Sequence, residues 1–138
     1  MSVWRGRFGT AIGCIDGRAH APLTAWLRAT YDLDFVDLIT EPGVDKLLAE
    51  GWPSDIYPLK AKAALSCRAH DSRLIAIAAH HDCAANPVSR EEHWDQVRRG
   101  LAVVRSWLLP VEIIGLWVNE HGEIEVVAGP ERAGDVGA

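Results

Sequence analysis

Short apolar runs alternate along this chain with segments whose apolar residues recur at helical spacing. This order constrains the fold more than any other feature of the sequence. The apolar runs predict buried strands at 8–15, 34–39 and 74–79. The other segments predict four helices: 21–31, a short one that begins near Val44 and stops at Gly51, 58–69, and one from Ser89 to about Leu108. Because buried strands that alternate with helices pair in parallel, we expect an α/β fold whose mainly parallel central sheet has helices on both faces.

Local signals mark two of these helices. Pro58 suits the first turn of the third helix, where its missing N–H costs nothing, and Leu59, Ala63 and Cys67 share one face of that helix. Ser89-Arg90-Glu91-Glu92 is a capping-box pattern that opens the fourth helix. The apolar stripe of the fourth helix consists of Trp94, Val97, Leu101, Val104 and Leu108. Both helices thus have an apolar face that can pack on the sheet.

The last part of the chain predicts an antiparallel edge to the sheet. Residues 112–118 and 124–128 read as strands joined by the turn Glu120-His121-Gly122, which makes them a hairpin. The Gly-rich tail from about Gly129 is expected to be flexible. No internal repeat or linker interrupts the sequence, so residues 1–138 are expected to form a single domain.

Composition and charge exclude several classes of protein. The 138 residues are 49% apolar and 24% charged, which is ordinary for a folded domain with a core. The formal net charge is -5 and there is no basic block, so we expect no nucleic-acid partner. The apolar runs are too short for a membrane span or a signal peptide, so we expect a cytoplasmic protein without a membrane partner. In that reducing compartment the three cysteines are better interpreted as metal ligands or buried thiols than as disulfides.

Two cysteine motifs lie at the ends of buried strands. Cys14-Ile15-Asp16-Gly17-Arg18 ends the first apolar run, and His80-His81-Asp82-Cys83 follows 74–79. Because ligands sit beyond the carboxyl ends of parallel strands, the two motifs can converge there. Two thiolates and one imidazole are three ligands for a tetrahedral Zn²⁺, with a fourth position left over. Either cysteine alone is more simply a buried structural thiol, but the pair of motifs favours a metal site.

The position of Asp16 determines which group occupies the fourth coordination position of the metal. It lies two residues before Arg18 and can form a bidentate pair with it. Asp16 could be the fourth zinc ligand and close the site, or Arg18 could hold it off the metal so that it accepts a hydrogen bond from a zinc-bound water. The pair could also be an ordinary helix-start aspartate with a surface arginine. His81 could transfer protons or simply meet solvent, and His20 and His93 have no motif behind them.

Here the chain resembles the β-class carbonic anhydrases. Their signature is Cys-x-Asp-Ser/Ala-Arg followed by His-x-x-Cys. The matching segments are Cys14-Ile15-Asp16-Gly17-Arg18 and Ala79-His80-His81-Asp82-Cys83-Ala84. The resemblance extends from Gly9 to Val127, because the order of strands and helices also fits.

The resemblance implies a site, an activity and an assembly. The implied metal is Zn²⁺ at Cys14, His80 and Cys83, and the implied catalytic residues are Asp16 and Arg18, acting as a dyad that gates the metal. The implied activity is the reversible hydration of carbon dioxide to bicarbonate, so the expected substrate is a small molecule. A homodimer or a higher homo-oligomer is also implied, because the active sites of this family lie near subunit interfaces.

The sequence departs from the family pattern around the site. Thr40-Glu41-Pro42-Gly43 stands where the family has Arg-Asn-Ala-Gly, Gly17 replaces Ser or Ala, and Ala79 and Ala84 replace glycines. The N-terminal helical arm of the family is missing or nearly so. These departures leave two alternatives. The site could hydrolyse a CO2-like molecule such as carbonyl sulfide or carbon disulfide, or the protein could be a catalytically inactive zinc-binding structural or sensory protein with Asp16 permanently on the metal.

Overall fold

A computed structural model describes residues 5–132 of the chain, and these form five strands and four helices. In chain order they are β1 (Phe8–Gly13), α1 (Gly17–Tyr31), β2 (Phe35–Thr40), α2 (Val44–Glu50), α3 (Pro53–His70), β3 (Leu74–His80), α4 (Arg90–Arg105), β4 (Glu112–Val118) and β5 (Ile124–Arg132). This is the order that the alternation in the sequence predicts. No helix within the described range is both long and apolar enough to cross a membrane.

The five strands form one sheet in the order β2-β1-β3-β4-β5. β1 pairs in parallel with both β2 and β3, and β3 pairs in parallel with β4. Among the described strands, β5 alone runs antiparallel, against β4 at one edge. The predicted α/β class, with a mainly parallel sheet and an antiparallel edge hairpin, is confirmed.

Alternate residues of the central strands face two different layers of helix. Ile12 and Ile77 belong to the core that α2, α3 and α4 cover. Ala11 and Ala76 belong to the core on the opposite face, which α1 covers through Leu23 and its neighbours. Because successive strand side chains point to opposite faces, strands buried on both faces read as continuous apolar runs. The prediction of helices on both faces is therefore correct, with three helices on one face and one on the other.

The third helix begins at Pro53, earlier than the predicted start at Pro58. Pro53 takes the first-turn position, and the carboxylate of Asp55 accepts a hydrogen bond from the backbone N–H of Trp52 at 3.1 Å. Pro58 lies inside the helix, where its missing N–H leaves one carbonyl of the first turn without an intrahelical donor. The predicted start at Pro58 is therefore wrong, because Pro53 already occupies the first turn.

The fourth helix begins as predicted and ends sooner. Ser89 caps it by accepting a hydrogen bond from the Glu92 backbone N–H at 3.1 Å, and the helix ends at Arg105. Leu108 was predicted on the apolar stripe, but it has a φ of 57° and is 71% exposed. Trp107 is the buried residue there. Helical spacing cannot place Leu108 because the helix has already ended.

Part of the tail predicted to be flexible is a strand. β5 continues from Ile124 to Arg132, and Arg132 lies opposite Glu112. Gly129 has a φ of 87°, and a Cβ atom there would lie 2.7 Å from the carbonyl oxygen of Ile113. The glycine therefore permits a close approach beside an irregularity in the β4–β5 register rather than loosening the chain. The remainder of the predicted tail, residues 133–138, lies outside the described residues.

Candidate metal centre

The two cysteine motifs meet at the carboxyl ends of neighbouring strands. β1 ends at Gly13, before the predicted end at Ile15, and Cys14 follows directly. His80 is the last residue of β3, which pairs with β1, and Cys83 lies in the turn after β3. The Sγ atoms of Cys14 and Cys83 are 3.9 Å apart, and the ligand atoms of all three residues lie within 4.8 Å of one another. This spacing could hold one metal ion.

The imidazole of His80 is oriented for a ligand. Its Nδ1 lies 2.8 Å from the carbonyl oxygen of His81, which can only accept, so Nδ1 is the donor. In the neutral ring Nε2 then carries a lone pair. Nε2 is buried and has no hydrogen-bond partner among the described residues. A backbone acceptor on one ring nitrogen and an unpartnered second nitrogen is the usual arrangement of a metal-binding histidine.

The two thiols also suit a metal better than they suit an apolar core. Cys14 and Cys83 are both buried. Burial raises the pKa of the Cys83 thiol, and the neighbouring Cys14 raises it further. Two thiolates at this distance would repel each other, whereas a cation bound between them favours the deprotonated form of both. The donor set of two sulfurs and one imidazole nitrogen fits Zn²⁺.

Asp16 is held by Arg18 in a bidentate pair. The Arg18 Nε donates to one carboxylate oxygen of Asp16 at 3.0 Å, and its Nη2 donates to the other at 2.7 Å. Asp16 is also the N-cap of α1 and accepts a hydrogen bond from the Arg18 backbone N–H at 3.0 Å. These hydrogen bonds hold the pKa of Asp16 well below its usual range, so the carboxylate is ionised. The three-ligand group does not include Asp16.

Arg18 also joins the two motifs. Its Nη1 donates to a side-chain oxygen of Asp82 at 3.3 Å, and its Nη2 donates to the Asp82 backbone carbonyl at 3.1 Å. The hydrogen bonds to Asp16 and Asp82 raise the pKa of Arg18, which stays charged. The guanidinium therefore connects the start of α1 to the turn that carries Cys83.

A cavity of about 520 Å³ adjoins the turn between His81 and Cys83. Its wall includes the ligand Cys83, the aromatic residues His93 and Trp117, and the charged residues Arg90 and Glu120. The cavity is large enough for several water molecules beside the ligand cluster. A small substrate therefore has space next to Cys83.

A cluster of four buried polar side chains lies beside this turn, and no pattern in the sequence predicts it. We call it the Asn86 cluster; it consists of Asp45, Asn86, His93 and Gln96, each no more than 2% exposed. Asn86 Nδ2 donates to Gln96 Oε1 at 2.6 Å and to Asp45 Oδ1 at 3.1 Å. His93 Nδ1 donates to Asp45 Oδ2 at 2.5 Å. The members come from α2, α4 and the turn, so no local spacing could have predicted their contact.

The ligand group does not include His20, His81 or Cys67, although His20 hydrogen-bonds to the backbone of a ligand. His20 is half-buried, and its Nε2 lies 2.9 Å from the Cys14 carbonyl oxygen, to which it donates. His81 is exposed to solvent, which is one of the two interpretations given for it above. Cys67 packs at the margin of the core, and burial raises its thiol pKa. None of the three belongs to the ligand group found within residues 5–132.

A family model matches nearly the whole chain. Residues 4–128 match the model of a family described as "Putative carbonic anhydrase". No curated protein sequence matches the chain significantly. The chain is similar in fold to β-carbonic anhydrase isoform I from the protozoan Trichomonas vaginalis, with a TM-score of 0.59 and 14% identity over 88% of this chain and 83% of that one.

Two fungal proteins have the same fold. The β-carbonic anhydrase of the pathogen Aspergillus fumigatus gives a TM-score of 0.61 and 16% identity, over 90% of this chain and 77% of that one. A structure from a study of two tetrameric β-carbonic anhydrases of the ascomycete Sordaria macrospora gives 0.50 and 12%, over 89% and 81%. At these identities the structural likeness is evidence for the fold, while the family match rests on the sequence of nearly the whole chain. The chain belongs to this carbonic anhydrase family.

Proposed function

We propose that this protein is a zinc-dependent carbonic anhydrase that reversibly hydrates carbon dioxide to bicarbonate. The observation that carries the proposal is the buried Nε2 of His80, which has no partner among the described residues. It belongs to a residue whose ligand atom lies within 4.8 Å of those of Cys14 and Cys83. Three protein ligands in a tetrahedral site leave one position for water or substrate. Membership of a carbonic anhydrase family supports the same reaction.

The ligand set determines what the rest of the protein must do. Zinc held by Cys14, His80 and Cys83 would supply a Lewis acid that makes hydroxide available near neutral pH. Two thiolates and a neutral imidazole balance the charge of Zn²⁺, so the Lewis acidity is milder than with three histidines. The reaction therefore depends on a protein group that orients the attacking water.

Asp16 is that group in this proposal. Its ionised carboxylate can only accept hydrogen bonds, and each oxygen has more than one lone pair. Arg18 donates a hydrogen bond to each carboxylate oxygen. The carboxylate can still accept a hydrogen bond from one more donor, the reacting water. Asp16 is therefore the catalytic acceptor, and Arg18 is the residue that positions it. Loss of the pair would free the carboxylate to ligate the metal and close the site.

The lowered pKa of Asp16 has a consequence for the pH dependence of the activity. Since the folded-state pKa is depressed, the carboxylate stays ionised throughout the neutral and mildly acidic range. Acidification in that range does not remove the catalytic acceptor. Hydroxide becomes more available as pH rises. We therefore expect the rate of CO2 hydration to increase with pH through the neutral range.

The proposal extends to assembly and location. We propose a homodimer or a higher homo-oligomer, supported by the tetrameric state named for the Sordaria macrospora proteins. Trp52 and Tyr57 at the start of α3 are 77% and 68% exposed, and such large aromatic side chains are enriched at interfaces. We also propose a cytoplasmic location, where thiols remain reduced and available to zinc.

One set of measurements on the purified protein tests the proposal. Zinc content is measured first, and the rates of CO2 hydration and of carbonyl sulfide and carbon disulfide hydrolysis are then measured across pH. We expect one zinc per chain and CO2 hydration that increases with pH. Zinc with hydrolysis of the sulfur compounds alone would favour the hydrolase. Zinc without turnover at any pH would favour a structural or sensory protein.

A further inference from the structure

We propose that Asn86 is a positioning residue for the ligand Cys83, and that its buried hydrogen bonds set the affinity of the site for zinc. The inference rests on the proposed function only in taking Cys14, His80 and Cys83 as the metal ligands. It concerns residues outside both cysteine motifs. It assigns a role to the Asn86 cluster, which the proposed chemistry does not use.

The three ligands are held in place in different ways. Cys14 directly follows Gly13, which pairs with Thr40 of β2. His80 is itself paired with Val118 of β4. Cys83 is the exception, because it lies three residues beyond the end of β3, whereas Cys14 directly follows β1. Its position therefore depends on what holds the two ends of the turn after β3.

The sheet fixes one end of the turn. The backbone N–H of His81 donates to the carbonyl of Val118 at 2.9 Å, which extends the β3–β4 pairing by one residue. Asp82 then adopts a φ of 58°, the left-handed conformation that reverses the chain. This end of the turn is held by that backbone hydrogen bond, which no side-chain substitution removes, and by the hydrogen bonds from Arg18 to Asp82.

Asn86 fixes the other end. Its backbone N–H donates to the carbonyl of Cys83 at 3.3 Å, and its side chain, 1% exposed, inserts between α2 and α4. There it donates to Asp45 of α2 and Gln96 of α4. Gly43 packs closely against this anchor, since a Cβ atom added there would lie only 3.2 Å from the Cβ of Asn86 and 3.3 Å from the Ala85 carbonyl oxygen. Two helices thus determine where the residue after the ligand turn lies, and through it where Cys83 lies.

Loss of the hydrogen bonds of Asn86 should lower the affinity of the site for zinc. Residues that orient metal ligands typically change metal affinity by about 10-fold to 100-fold when they are replaced. Asn86→Ala removes both side-chain hydrogen bonds and leaves the ligands themselves intact. We expect its zinc dissociation constant to rise by roughly that factor.

The experiment compares zinc affinity in three variants and the parent. Zinc is titrated in competition with a chromophoric chelator, and cobalt(II) is substituted so that its absorption bands report the coordination geometry. Gln96→Met removes the 2.6 Å hydrogen bond while keeping the side-chain length, and it replaces Asn86→Ala if that variant does not fold. Ser66→Ala is the matched control, because Ser66 is also buried and hydrogen-bonded, but its partners Thr10 and Asp37 lie toward the amino ends of the strands.

Each outcome decides between named alternatives. Weaker zinc binding and altered cobalt bands in Asn86→Ala and Gln96→Met, with parent-like values in Ser66→Ala, support the inference. Equal weakening in Ser66→Ala would show that general destabilisation is the cause and would overturn it. Parent-like affinity in both Asn86→Ala and Gln96→Met would also overturn it. A parent protein that binds no zinc would instead contradict the proposed function.

Discussion

Two polar clusters lie at opposite ends of the same sheet, and they differ in how completely their buried atoms are hydrogen-bonded. The Asn86 cluster lies beside the carboxyl ends of the strands, next to the candidate metal ligands. We call the other the Ser66 cluster, and it lies toward the amino ends of the strands. It consists of Thr10, Asp37, Ser66, His70 and Ser72.

The side chains of the Ser66 cluster hydrogen-bond to one another. The Thr10 hydroxyl lies 2.6 Å from that of Ser66 and 2.7 Å from that of Ser72. Asp37 accepts hydrogen bonds from Ser66 at 2.7 Å and from His70 Nδ1 at 2.6 Å. No member of this cluster has a buried side-chain polar atom without a partner within the described structure. Its geometry is that of a structural link between α3 and the sheet.

At the metal-ligand end of the sheet, several buried polar atoms have no hydrogen-bond partner in the described structure. The buried polar atoms that lack a partner within residues 5–132 are His80 Nε2, Asn86 Oδ1, Trp94 Nε1 and Trp117 Nε1. His80 is a candidate ligand, Asn86 anchors the ligand turn, and Trp117 lines the cavity beside Cys83. An unpartnered buried polar group costs free energy and calls for an explanation. At His80 the explanation that we propose is a bound metal, and this separates the functional end of the sheet from the structural one.

The largest difference between the two ends of the sheet is expected when a metal ligand is removed. Cys83→Ala leaves two protein ligands, and we expect it to lose both bound zinc and CO2 hydration. Cys67→Ala is the matched control, because Cys67 is the one cysteine outside the ligand group and should retain zinc. Elemental analysis of both purified variants checks this. Full zinc in Cys83→Ala would remove Cys83 from the site.

A smaller effect is expected when the ligands stay and the pair beside them is broken. Arg18→Ala should keep its zinc and lose CO2 hydration by about a hundredfold, because Asp16 loses the group that positions it. Arg73→Ala is the control, because the Arg73 side chain is as exposed as that of Arg18. Arg73 also pairs with an aspartate two residues away, at 2.9 Å, but it lies at the other end of the sheet. Stopped-flow CO2 hydration with zinc analysis gives the answer. An Arg18→Ala variant as fast as the parent would refute the role of the pair.

The smallest functional effect is expected at the amino ends of the strands. Ser66→Ala removes a buried hydroxyl and should lower the free energy of unfolding by about 1–3 kcal/mol. Zinc content and the rate of CO2 hydration should stay at the parent values, since no hydrogen bond found in residues 5–132 joins the Ser66 cluster to a ligand side chain. Denaturant unfolding and the same activity assay test both statements. A large loss of activity in the folded variant would show that the two ends are not independent.

Much of the fold and the three candidate ligands followed from local sequence. Strands buried on both faces leave uninterrupted apolar runs, so β3 is predicted to within one residue of its end at His80, and Cys83 is placed just beyond it. The Asn86 cluster could not be predicted in the same way. Asn86 meets Asp45 across 41 residues and His93 meets Asp45 across 48, so the contact depends on how α2 packs against α4. Periodicity reports which face of a helix is apolar, and it carries no information on which buried polar groups will meet.

The central claim is that the carboxyl end of the sheet holds a metal with one position open. The most direct measurement is a crystal structure of the zinc-loaded protein at neutral and at alkaline pH. We expect zinc on Cys14, His80 and Cys83, a water or other non-protein ligand in the fourth position, and Asp16 still paired with Arg18. Zinc at another site, or Asp16 bound to zinc at both pH values, would contradict the account.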